Sequence, residues 1–254
     1  MNNWMGLFTL ISREGYRFIR LSRQTVIPPI ITTIMFILIF GYSLGSQIKE
    51  ISGFPYIVFI LPGLVQMSVI TNSYANSSTS LYMARLERSI ENVLVAPLHY
   101  LYVVSSFMMG GILRGLVVGF TIISVAAFFV DFPPVNWLLV FYTLFMTSFL
   151  LAGLGVISAL RAESWDQIAT FTNFVLTPFV YLGGVFYSIK MLPDFWQKVS
   201  HFNPLFYCVD LLRYAFLGIS DTSITTSLII VTIIPLLIFL ICVYLFRKGY
   251  KIIS

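Results

Sequence analysis

An all-α membrane protein with six transmembrane helices is the fold class this sequence predicts, and three observations predict it. The 254 residues are 58% hydrophobic and 10% charged, where a soluble domain carries roughly 25% charged residues. The apolar residues lie in long runs, 26–44, 56–76, 101–130, 135–160, 167–188 and 225–246, each about the length a helix needs to cross the hydrocarbon core. The charges fall almost wholly between these runs. Three further elements are expected within a single domain covering 1–254. They are an N-terminal interfacial helix over 1–24, a polar cytoplasmic helix over 80–97, and an extracytoplasmic re-entrant hairpin over 189–218 before the last span.

In the first segment Trp4, Phe8, Ile11, Gly15 and Phe18 recur on one side of a helix, and Arg13, Arg17 and Arg20 on another, with Arg23 beyond. Such a helix lies in the membrane interface with its arginines toward anionic headgroups, which makes lipid a partner. Pro28 and Pro29 open the first span, where proline is tolerated. Pro62-Gly63 interrupts the second span, which turns polar at Asn72, Ser73, Asn76, Ser77 and Ser78. Residues 80–96 read as a separate helix, with Tyr82, Leu86, Ile90 and Val93 on one face and Arg85, Arg88 and Asn92 on another. Glu87 and Glu91 stand one turn apart on it, and Pro97 stops it. The third span carries Gly111, Gly115 and Gly119 in four-residue steps, a small-residue seam for close helix approach. It also carries Arg114. A charge at the bilayer centre is costly, so Arg114 should face protein or water. It is either a group on a substrate path or a structural partner for a carbonyl or acid. Asp131-Phe132-Pro133-Pro134 is a tight turn into the fourth span, and 161–166 is a short charged loop.

The fifth span holds a polar stripe of Thr170, Asn173, Thr177, Tyr181 and Gly184 at three- or four-residue steps. An amide in lipid must find a hydrogen-bond partner, so the stripe lines a path or glues helices together; path-lining is the expectation. Pro178 removes a backbone donor and frees a carbonyl near Phe174. Beyond it, Pro193 can initiate a helix with Leu192, Phe195, Trp196 and Val199 on one face. Asn203-Pro204 is then a turn and helix start. Phe206, Asp210, Arg213 and Leu217 follow at helical spacing, so Asp210 and Arg213 share a face as a candidate ion pair. Gly218 ends that run.

Six spans put both termini on one side. On that side fall Arg13, Arg17, Arg20, Arg23, Arg85, Arg88, Arg161, Arg247, Lys248 and Lys251; on the other fall Lys49, Lys190, Lys198 and Arg213. This asymmetry orients both termini to the cytoplasm. The net charge of +5 is therefore read through topology, with no nucleic-acid partner expected. No G-x-x-x-x-G-K-[ST] loop, H-E-x-x-H or G-x-S-x-G occurs, which argues against nucleotide binding and enzyme chemistry on this chain. Cys208 and Cys242 form no redox or metal motif, and His99 and His201 fall on opposite sides, so no metal site is expected. No cleavable signal peptide is apparent.

Three stretches carry a family resemblance: Glu91-Asn-Val-Leu-Val-Ala-Pro97, Leu182-Gly-Gly-Val-Phe-Tyr187, and Asn203-Pro204…Tyr207…Asp210…Arg213…Gly218. Together with the order of spans they resemble the permease subunit of type-2 ATP-binding-cassette (ABC-2 type) exporters of the bacterial drug, lipid or polysaccharide export group. The resemblance implies a homodimer in the plasma (inner) membrane, served by a separate cytoplasmic ABC ATPase that holds ATP and magnesium. It implies that 80–97 is a coupling helix, docking through Arg85, Glu87, Arg88, Glu91 and Pro97. It also places the first and fifth helices beside the second copy, near the path. A solvated connector is the plainer reading of 80–97, and an ordinary capped helix that of 203–218. The competing class is a non-transporting membrane scaffold or a channel without an ATPase; an importer is a further alternative.

Overall fold

A computed structural model describes residues 3–20, 22–40, 50–96, 98–130 and 134–251. The expected roles of Pro97, Lys49 and the 131–133 part of the turn lie outside these residues, as do the side chains of Trp4, Phe18 and Arg23.

The described chain is almost entirely helical. Helix α1 (Asn3–Arg20) leads into α2 (Ser22–Leu38). A two-residue antiparallel pair, β1 (Glu50–Ile51) and β2 (Phe54–Pro55), precedes α3 (Tyr56–Leu86). Then come α4 (Ser89–Val95), α5 (Tyr100–Ala126) and α6 (Trp137–Arg161). Helix α7 (Trp165–Phe171) passes through a wide π turn (Thr172–Leu176) into α8 (Thr177–Tyr181). Short α9 (Asp194–His201), α10 (Pro204–Leu217) and the apolar α11 (Ile224–Arg247) complete it.

Four of these helices, α3, α5, α6 and α11, are long and apolar enough to cross a bilayer. Of the first expected span the described part holds an apolar stretch Thr25–Leu38 within α2, and its residues 41–44 lie outside the described residues; the fifth corresponds to the shorter α7–α8 run. Pro28 and Pro29 lie inside α2 rather than opening it, because the helix already starts at Ser22. Pro62 does not interrupt the second span, since α3 is continuous through it.

The largest departure is at 80–96. Residues 80–86 are the last turns of α3, not the start of a separate helix. Nothing between Asn72 and Leu86 breaks a helix, and Asn72, Ser73, Asn76, Ser77, Ser78 and Ser80 are buried against protein rather than turned to solvent. The break comes at Arg88, whose φ of +56° puts it in the left-handed region. Arg85 and Arg88 therefore do not share a face, and Glu87 lies in the corner after α3 while Glu91 is on α4.

The core is a three-helix stack of α3, α5 and α6, closed by α10 and α11. The glycine seam makes it possible. A Cβ on Gly111 would meet the Ser73 carbonyl at 2.8 Å and the Ala152 side chain at 2.9 Å. Gly155 of α6 likewise faces the Tyr74 carbonyl at 2.7 Å. Small residues let polar backbone pack at van der Waals distance, which is how helices associate without help from water. Polar side chains bond across the stack: Gln66 to Thr147, 2.5 Å, and Ser77 to the Phe107 carbonyl, 3.2 Å.

The segments predicted for each side gather at two ends. At one end, α1 packs on α5, Lys251 pairs with Glu163 at 2.8 Å, and Arg85 bonds the end of α6. At the other, Tyr56 donates to the Phe186 carbonyl (3.2 Å) and the Asn136 amide to that of Ala215 (3.0 Å).

Candidate coupling surface and substrate path

At the α3–α4 corner, Arg85 is buried and Arg88 is exposed. Arg85 Nη1 donates to the carbonyls of Ala159 (2.5 Å) and Ala162 (3.1 Å). It thus caps the C-terminus of α6, where helical carbonyls lack partners and the dipole favours a cation. Glu87, Arg88, Glu91 and Asn92 face solvent together with Leu86, Leu94 and Val95, the last 86% exposed. Ile90 and Val93 anchor α4 to the body. A helix anchored on one face and showing mixed charged and apolar groups on the other is suited to a protein partner.

Within the span region, Arg114 is half-buried on α5. Its Nε and Nη2 both donate to Asn72 Oδ1, at 3.2 and 2.9 Å, and no acid pairs with it among the described residues. The fifth-span stripe divides. Thr177 is half-buried and its hydroxyl donates to the Thr172 carbonyl at 2.9 Å. That bond reaches back five residues across the π turn, taking up an acceptor there. Thr170, Asn173 and Tyr181 are exposed, as are Phe174, Val175 and Phe179. So α7–α8 lies at the edge of the bundle, held mainly by Ile168, Leu176 and Val180, which are buried, and by Phe171 stacked on Tyr74 at 5.5 Å. Phe186 joins it to α2, with Phe36 and Phe40 at 5.6 and 5.4 Å and Tyr181 at 6.0 Å. The chain leaves α8 at Gly183-Gly184, and Gly184 has a φ of +75°, which glycine adopts without strain.

The hairpin signature is a buried polar network. Asn203 caps α10, accepting from the Leu205 amide at 3.0 Å, and donates to the Phe179 carbonyl at 2.5 Å. Pro204 is the first helical residue, and Gly218 closes the helix at φ +71°. Tyr207 donates to the His201 carbonyl, 2.9 Å. Asp210 and Arg213 do not pair with each other. Asp210 accepts from the Asp221 amide (2.7 Å), Ser220 (2.7 Å) and Ser227 (3.1 Å). Arg213, 1% exposed, donates to the Gly184 carbonyl at 2.5 Å, lies 4.1 Å over the Phe59 ring and is 3.7 Å from Asp221. The loop after Gly218 folds back over the helix and outcompetes the neighbour three residues away.

Sequence reasoning missed Glu14, Asn76 and Asp221. Glu14 is buried on the inner face of α1, pairing with Arg17 at 3.1 Å and accepting from Ser80 at 2.7 Å. Arg17 also donates to Asn76, at 3.2 Å to each of its oxygens. Burial lowers the Arg17 guanidinium from its ordinary value; Glu14 opposes this and Arg13 adds to it. Of the arginine side of α1, Arg17 turns toward protein while Arg13 and Arg20 stay exposed, and Phe8 of the apolar side is 74% exposed. A lone acid in a basic helix, three residues before an arginine, was the available signal. Elsewhere His99 caps α5 at the Leu101 amide (3.3 Å) and His201 packs on Phe206.

A profile of the family described as ABC-2 type transporter matches residues 5–217. The inner membrane transport permease YadH of Escherichia coli (strain K12) is 41% identical over 246 residues, covering 97% of this chain and 96% of the relative. Nodulation protein J of Neorhizobium galegae is 24% identical over 247 residues, covering 97% and 93%. Nodulation protein J of Sinorhizobium fredii is 28% identical over 180 residues, covering 70% and 68%.

Proposed function

Because the chain belongs to the ABC-2 type transporter family, a family of transport permeases and not of enzymes, we propose that it is the membrane subunit of an ATP-driven exporter in the bacterial inner membrane. Six segments cross the bilayer, with α2 and the α7–α8 run joining the four long helices, and both termini face the cytoplasm. One domain spans 1–254, with α1 in the interface and the 189–218 hairpin as an external re-entrant cover. A separate cytoplasmic ABC ATPase binds ATP and magnesium and docks on α4 through Glu87, Arg88, Glu91 and the apolar Leu94 and Val95, with Pro97 ending the corner and Arg85 holding it to α6. Two copies meet along α2 and the α7–α8 edge, and Thr170, Asn173, Thr177 and Tyr181 line the path, to which Arg114 of α5 also contributes. Asn203, Pro204, Tyr207, Asp210 and Arg213 hold the external cover in place. ATP shifts the permease only if the ATPase–permease complex binds it better in one state than the other.

The observation that carries this is the exposed edge. Asn173 and Tyr181 stand on the outer surface of a lone chain, and an amide facing lipid lacks a hydrogen-bond partner. A second copy supplies one. The test is purification of the tagged chain from its native membrane in mild detergent. The expected result is a dimer that retains an ABC ATPase, with the ATPase lost in Val95→Glu and the dimer kept. A monomer without an ATPase would sink the proposal.

A further inference from the structure

At the cytoplasmic end, α1 and α3 enclose an open cavity of about 440 Å³ whose wall includes Arg13, Glu14, Arg17, Asn76, Ser80 and Arg114, with exposed Glu87 also on its lining. Three guanidiniums meet here. Their local acceptor is already in use: Glu14 Oε1 lies 3.4 Å from Arg13, and Oε2 takes Arg17 (3.1 Å) and Ser80 (2.7 Å). Donors remain in excess. Among the described residues, Asn76, 4% exposed, has no acceptor for its Nδ2, and Arg114 bonds only a neutral amide oxygen. A second cavity of about 280 Å³ abuts the first at Arg114 and runs along α2. Its wall is Pro28, Pro29, Phe36, Leu64 and Met67, interleaved with threonine and serine hydroxyls. One compartment is cationic and rich in donors; the next mixes apolar side chains with hydroxyls; an arginine stands between them.

We propose that the paired cavities bind an anionic amphiphile, its phosphate- or carboxylate-type headgroup held by Arg13, Arg17 and Arg114 and its apolar chain laid along α2. Clustered guanidiniums repel one another, and an oxyanion relieves that repulsion while accepting several charge-assisted bonds. An unpaired arginine at membrane depth is costly, and an incoming anion supplies the missing partner. That the bound amphiphile is cargo rests on the transport reading above; that it binds does not.

Calorimetry on the purified full chain in dodecyl maltoside tests the binding directly, with dodecyl phosphate, dodecyl phosphocholine and inorganic phosphate as probes. Dodecyl phosphate is expected to bind about tenfold more tightly than the zwitterionic probe, and inorganic phosphate alone more weakly than either charged or zwitterionic chain. Arg114→Gln should weaken dodecyl phosphate about tenfold, the loss expected of one charge-assisted bond. Arg114→Lys should recover part of this, and Arg247→Gln, on the exposed end of α11, should bind normally. Arg13→Gln, a change at a side chain 41% exposed, keeps the test alive should Arg114→Gln not fold. Equal binding of the two dodecyl probes, saturation by inorganic phosphate alone, or unchanged binding in Arg13→Gln and a folded Arg114→Gln overturns the proposal. Mass spectrometry separates the two sources. Phosphatidylglycerol retained by the wild-type chain and lost in Arg114→Gln marks a bilayer lipid as occupant; dodecyl phosphate binding without retained lipid marks an amphiphile other than a bilayer lipid. Neither result depends on an ATPase, so a failure of the transport reading would leave this measurement standing.

Discussion

Arg85 and Arg88 are three residues apart, yet their removal should have opposite consequences. Arg85 contributes one guanidinium nitrogen to two carbonyls, those of Ala159 and Ala162. A hydrogen bond from a charged donor is worth about 1.5–3 kcal/mol, and a cation at a helix C-terminus adds about 0.3–1 kcal/mol. Both bonds share Nη1, and Nε has no partner among the described residues, so the two bonds do not count twice. Arg85→Ala should therefore destabilise the chain by about 2–3 kcal/mol. Arg88 sits exposed between two helices, and surface changes of this kind fall within about 0.5 kcal/mol. Arg88→Glu should leave stability alone and weaken the ATPase. The assay is paired: thermal unfolding of the purified permease, and recovery of the ATPase on the tagged permease. Should Arg85→Ala melt like the wild type while losing the ATPase, Arg85 is a docking residue and the capping argument is wrong.

Other outcomes follow from the same packing. Arg213→Met removes the bond to Gly184 and the stacking on Phe59 from a fully buried site, and should cost about 3–5 kcal/mol and open the α9 segment to protease; an unchanged melting point and cleavage pattern would refute this. Gly115→Leu should prevent folding, since its added Cβ alone would press on the Ser148 side chain, and normal yield of folded chain would contradict it. Asn173→Leu should keep the dimer and cut transport, with cysteines at Asn173 or Tyr181 forming disulfides between copies; normal transport and no link would leave the stripe as structural glue. The Glu163–Lys251 pair lowers the carboxyl from 4.5 and raises the amine from 10.5 through their mutual hydrogen bond. A depressed carboxyl loses its contribution as pH falls through its folded value, and a raised amine loses its own as pH rises through its folded value. The C-terminal tether should therefore hold across neutral pH and release at both extremes, read by hydrogen exchange at residues 245–251; exchange independent of pH, after correction for the intrinsic rate, would exclude it.

How much was legible depends on the range of the interaction. Local chemistry was readable: Asn203-Pro204 and Gly218 bracket α10 at the expected residues because caps act within a few positions, and the Gly111–Gly119 steps mark a packed face because spacing alone puts them there. Long-range competition was not. Asp210 and Arg213 are suitably spaced for each other, but the amide and hydroxyls of residues 220–227 are better partners for Asp210, and no local rule weighs them. The polar run from Asn72 to Ser80 looked like the end of a span because polarity was read as solvent, when α1 and α5 provide the polar surroundings. For the same reason Arg85 was read as exposed. Its partners are 74 and 77 residues away.

Helix α3 has a mechanical consequence. Its 31 residues form a rod about 46 Å long at 1.5 Å per residue, with the α4 corner at one tip and Phe59, the seat of Arg213, near the other. Proline at position 62 does not hinge it, and its middle is wedged between the glycine-faced helices α5 and α6. Such a rod stores little bending. Pivoted at its centre, a tilt of about 10° swings each tip by about 4 Å, in opposite directions. With an ATPase docked on α4 as proposed above, a pull there would arrive at the far tip of α3 as a push of equal size, carried as motion of a solid lever rather than as a relay of side-chain rearrangements.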